Sequence, residues 1–140
     1  MSNDEAVQRF LHAQDDGTYD AALRELRAGS KRGHWMWFVF PQLAGLGHSA
    51  MARRYAISGL AEARAYLADE VLGARLRECA AALLALPGHD AVAVVGSIDA
   101  MKLRSSMTLF ALADPAEPSF TAVLDRYFDG RPDGETTSRL

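Results

Sequence analysis

The chain is 140 residues long, 49% apolar and 24% charged, which suits one globular domain with a continuous core. A formal charge of −3 at pH 7 excludes the broad basic surface that draws a protein to nucleic acid or anionic membrane. A single cysteine, Cys79, excludes an intrachain disulfide and fits a reducing compartment. Its Ala- and Leu-rich surroundings make it a small buried hydrophobe.

The opening Met-Ser-Asn-Asp-Glu lacks the basic start and apolar run of a signal peptide, and runs such as Trp35 to Pro41 are too short to cross a bilayer. A soluble, cytoplasmic protein is expected. Asn3 and Asp4 are placed to cap a first helix carrying Val7, Phe10, Leu11 and Gln14, closed by Asp15-Asp16-Gly17. Thr18 can cap a second helix with Ala22, Leu23 and Leu26 on its inner face and Gly29 as its stop. His34 to Phe40 is rich in aromatic and β-branched residues, which favours a buried strand, although periodicity alone also allows a short helix. Gln42 to His48 reads as a loop, and Ser49 as the cap of a short helix running through Ile57.

Ser58 can cap a helix bearing Leu60, Ala63 and Leu67. Asp69 opens the strongest helical pattern, with Leu72, Leu76, Cys79, Ala80, Leu83 and Leu84 on one face and Pro87-Gly88 beyond its end. Ala91 to Val95 is a helical turn or a short strand. Asp99 to Leu112 is helical, with Leu103, Met107 and Phe110 inward, and Ser119 can cap a last helix with Phe120, Val123, Leu124, Tyr127 and Phe128. Arg131 to Leu140 has no core pattern. These elements predict an all-α single-domain bundle of about six to eight helices over residues 1–130, with a polar C-terminal tail at 131–140. Leu76, Leu83, Phe110 and Phe128 are expected to be buried.

Three stretches together resemble a known family: FLHAQ at 10–14, KRGHWMWFVFPQLAGLGHSAMARRY at 31–55 and GSIDAMKLRSSMTLF at 96–110. They are similar to the domain-of-unknown-function family 1810. The resemblance spans nearly the whole chain and implies an all-helical domain, which tips the 35–40 stretch toward helix. It implies no particular activity.

On a helical wheel with Leu103 at zero, Asp99, Ser106 and Lys102 fall at about −40°, −60° and −100°, along one edge of the apolar face. Charged groups there must pair, reach water or meet a ligand. Pairing alone would make Asp99 a cap and Lys102 and Ser106 partners of nearby carbonyls. The i, i+4 spacing of Lys102 and Ser106 also admits a serine–lysine nucleophile pair.

A second cluster gathers Lys31, Arg32, His34, Trp35, Trp37 and Gln42. Both tryptophans could simply be core residues beside a solvated basic turn. Joined to the first cluster, they would form an aromatic, basic-rimmed pocket. The candidate ligand-binding residues are thus His34, Trp35, Trp37, Gln42, Asp99, Lys102 and Ser106. No metal site or cofactor is expected, because His12, His34, His48 and His89 lack ligand spacing. Two classes of function stay open. One is a small-molecule binding protein or enzyme taking an anionic, nucleotide-like metabolite. The other is a non-catalytic protein-interaction module with an exposed apolar face.

Overall fold

The computed structural model of the protein describes residues 3–140, with side chains from Ala6 onward. Ten helices occur among the described residues: α1 Asn3–Gln14, α2 Thr18–Ala28, α3 Met36–Val39, α4 Ala50–Arg54, α5 Leu60–Ala68, α6 Glu70–Ala85, α7 Ala91–Val95, α8 Ser97–Ala113, α9 Pro118–Phe128 and α10 Gly134–Arg139. The expected count was six to eight. The excess comes from three short elements, α3, α7 and α10, whose four to six residues are too few to display a helical period. None of the described helices is long and apolar enough to cross a membrane.

One apolar cluster runs through the domain. α8 lies at its centre, packed against α9, α5 and α7, with α3 and α10 on further sides. Leu76, Leu83 and Phe110 are fully buried as expected, whereas Phe128 is only half-buried. Enclosure by so many neighbours also buries the polar Ser105, Ser106 and Thr108 of α8.

The aromatic segment forms a turn of helix, not a strand. Among the described residues no partner strand is nearby, so the backbone meets its own needs through Val39 N–H to the Trp35 carbonyl (3.1 Å) and Phe40 N–H to that of Met36 (3.0 Å). Buried Gln14 fixes this turn by donating to the Phe38 carbonyl at 2.8 Å, while its own oxygen accepts from Arg75 at 3.3 Å. The capping expected of Asn3 and Asp4 lies outside the described side chains. α4 does receive its cap from Ser49 but stops at Arg54. Ile57 is instead drawn into an isolated parallel bridge with Leu43, donating to the Gln42 carbonyl at 2.8 Å.

Other helix starts shift by one or two residues. Gly17, Gly59 and Glu117 occupy the cap positions expected of Thr18, Ser58 and Ser119. Asp69 caps α6 as its position suggests, accepting from the N–H groups of Val71 and Leu72. α5 and α6 then approach so closely that a Cβ on Gly73 would overlap the Leu67 carbonyl oxygen.

The C-terminal residues are ordered against α8. Arg104 donates to the carbonyls of Arg131 (2.9 Å) and Pro132 (3.0 Å), and Thr108 Oγ1 accepts from the Asp133 N–H at 2.9 Å. Asp133 caps α10 and also accepts from Ser105 Oγ, while Thr136 is fully buried. A helix of GETTSR has no apolar stripe. Capping and side-chain hydrogen bonds hold it, which is why its sequence reads as a polar tail.

Candidate functional site

The site begins at the end of α2. Gly29 takes a left-handed conformation (φ 72°) and turns the chain out of the helix. The next residues fold back onto Glu25, whose Oε1 accepts from the N–H groups of Arg32 (2.7 Å) and Gly33 (2.8 Å) and from the Trp35 indole (2.9 Å). Burial works against ionisation of Glu25, but these donors outweigh it and hold the carboxyl below its usual range. On the other side, the Lys31 N–H donates to the Val94 carbonyl at 2.8 Å and ties the segment to α7.

Pinned this way, Lys31 points its ammonium at Asp99. Its Nζ lies 2.8 Å from Asp99 Oδ2 and 2.6 Å from the Gly33 carbonyl. Lys102 takes the other carboxylate oxygen, with Nζ 3.3 Å from Oδ1. The Lys31, Asp99 and Lys102 side chains are only 9%, 17% and 19% exposed. Two ammonium groups on one carboxylate leave these three side chains one positive charge in excess, which the ionised Glu25 near Lys31 partly offsets. Each cation also sits over an indole, Lys102 at 4.7 Å from the Trp37 ring centre and Lys31 at 5.2 Å from that of Trp35.

A cleft of about 310 Å³ opens beside this cluster. Lys31, His34, Trp37 and Asp99 supply its polar and aromatic lining, and Met36, Val95 and Ile98 its apolar one. The rest of the wall is the start of α8. Gly96 precedes it at φ 89°, ψ 163°, a conformation essentially reserved for glycine, and among the described residues no side chain caps the turn. The first N–H groups of α8 therefore lie at the cleft without a side-chain acceptor, with the positive end of the helix dipole. A larger hollow of about 500 Å³ between Leu43–Ala44, Ser58–Leu60 and Arg139–Leu140 has no aromatic wall.

The structure brings together His34, Trp37, Asp99 and Lys102 of the expected residues and separates the other three. Trp35 is buried behind the cleft, bonded to Glu25. Gln42 belongs to the Leu43–Ile57 bridge and does not line the cleft. Ser106 is fully buried, and its Oγ has no hydrogen-bond partner among the described residues. Because Lys102 turns to Asp99, the serine–lysine pair does not form. Asp99 is an ion-pair hub in the first turn of α8, not its cap.

The sequence reading missed Glu25, Gly96 and Ser97. Only Gly96, a glycine directly before a helical run, carried a signal of its role. Cys79 is buried as expected, and burial pushes its thiol up to about 12, so it offers no nucleophile at neutral pH. Among the described residues no group of His, Cys, Asp and Glu side chains is gathered as a metal site.

None of the curated proteins matches the chain. Among solved structures it is similar to the conserved hypothetical protein Rv1873 from Mycobacterium tuberculosis, with 49% identity and a TM-score of 0.93. That match covers 96% of this chain and 95% of the other. The model of a family described as protein of unknown function (DUF1810) matches residues 4–140, and the chain belongs to that family.

Proposed function

We propose that the protein binds a small anionic metabolite in the cleft between the Lys31–Trp37 segment and the start of α8. The observation that carries this reading is the clamp of Asp99 between Lys31 and Lys102 at an aromatic-walled opening. The surplus positive charge and the uncapped helix start favour an anion, phosphate or carboxylate. The Trp37 ring offers a planar group, such as a nucleotide base, a surface to stack on.

Trp35 and Trp37 are the chain's two tryptophans, and both border the ammonium groups, so intrinsic fluorescence reports on this site. A panel of nucleotides, phosphorylated sugars and amino acids is to be screened by thermal shift and fluorescence. Anionic members are expected to raise Tm, with a response that weakens as salt rises and falls at least tenfold in Lys31→Ala. No response to any member at millimolar concentration overturns the reading.

The alternative, a non-catalytic interaction module, draws on the exposure of Ile98, which lines the cleft, and of Met101 one helical turn further on. It predicts a partner-dependent complex that Lys31→Ala leaves intact, measured by sizing chromatography.

A further inference from the structure

We infer that the ligand of this cleft is an amphiphile, with its anionic group at the Lys31–Asp99–Lys102 end and an apolar body lying along Ile98 and Met101. The inference rests on the binding reading above and extends it to a ligand class, alkyl or aryl phosphates and carboxylates.

Ile98 and Met101 are the most exposed large hydrophobics among the described residues, at 71% and 72%. A lone exposed apolar side chain is ordinary. These two are three residues apart on one helix, and Ile98 itself lines the cleft. Around α8, at about 100° per residue, Asp99, Lys102, Ile98 and Met101 follow one another in steps of roughly 40–60°. The polar wall therefore passes directly into the apolar lip.

The next turn of the same outward face is not open. Ser105 there is covered by Asp133 at the start of α10. The exposed apolar surface thus stops where the C-terminal segment begins. Charge sets the orientation, because Lys31 and the first residues of α8 line the cleft and hold the anion there. The body must then leave over Ile98. Ile98 to Met101 spans about 4.5 Å along the helix, a length that a chain of about six carbons covers.

The test compares inorganic phosphate with n-hexyl phosphate, both followed by tryptophan fluorescence on the full chain. Hexyl phosphate is expected to bind about tenfold more tightly, from the apolar surface it buries. In the Ile98→Ser, Met101→Ser double variant that ratio is expected to fall toward one. Both positions are exposed, and an unchanged melting temperature verifies that the variant folds.

Equal affinity for the two probes in the wild type overturns the inference and leaves the binding reading standing. A ratio that survives in the double variant also overturns it, as does no signal from either probe. The binding reading is judged separately by its own panel. A wild-type chain that elutes as a dimer while the double variant elutes as a monomer overturns the amphiphile inference too, since the lip is then a contact between copies.

Discussion

Residues 30–34 and 131–140 are alike in sequence, polar and without periodicity, and alike in how they are held. Each wraps around one carboxylate. Glu25 gathers the N–H groups of Arg32 and Gly33 with the Trp35 indole, and Asp133 gathers Thr136 N–H, Thr136 Oγ1 and Ser105 Oγ. They differ in what the arrangement accomplishes. Around Glu25 the loop is turned so that Lys31 meets Asp99 and a cleft opens. Around Asp133 the chain is turned down onto α8 and closes that helix's surface. An acceptor at the right place thus replaces an apolar stripe as the organiser of a segment, and the elements on either side decide whether a site results.

Glu25→Ala strands two backbone donors and an indole N–H, and a loss of about 2–3 kcal/mol is expected in denaturant unfolding. Tryptophan emission should shift as Trp35 loses its partner. Asp133→Ala should cost less, about 1 kcal/mol, because it removes mainly a helix cap. Its clearer signature is faster proteolytic cleavage beyond Arg131, with anion binding at the cleft retained. If Asp133→Ala proved the costlier change, the C-terminal segment would be the more important of the two for stability.

The smallest effect is in pH dependence. The Glu25 carboxyl is held below its ordinary value of 4.5 in the folded protein, so its contribution to stability is fully present above that value. It is lost as pH falls below 4.5 through the folded-state value. Glu117 is depressed in the same direction, by Ser119 and Arg77 against its own burial, so some acid sensitivity remains without Glu25. Glu25→Gln, which keeps an acceptor oxygen and drops the charge, should flatten the acid side of a stability–pH curve without abolishing its slope. An unchanged slope would show that Glu25 ionises alike in the folded and unfolded states.

The helices that bury an apolar stripe were legible in the chain: Leu72 to Leu83 of α6, Leu103 to Phe110 of α8 and Phe120 to Tyr127 of α9 are all at the core. The 35–40 segment was open between strand and helix on composition and periodicity, and only the family resemblance pointed to the helix that forms. The edge of α8 carrying Asp99 and Lys102 was also visible from the wheel. What it could not show is that Asp99 has a second cation. With Lys31 closer than Lys102, removal of Lys102 does not strand the carboxylate. That geometry depends on Glu25 and Gly29, whose part is set by a loop path that no local pattern encodes. Ser106 sits on the same edge as Asp99, but one and two turns deeper than the two charged residues, and the neighbouring helices seal it in.

Gly73 has a consequence for how this sequence can change. Glycine inside a helix is disfavoured relative to alanine by about 1 kcal/mol, so a mutational scan guided by propensity would replace it. The obstacle to a side chain at 73 is the Leu67 carbonyl, a backbone atom that no rotamer can move aside. Position 73 is therefore one where the preferred helical residue and the tolerated residue point in opposite directions. Any substitution there has to separate α5 from α6 before it can profit from a better helix. A saturation library of this chain should accept glycine alone at that site, in a helix whose exposed positions accept many residues.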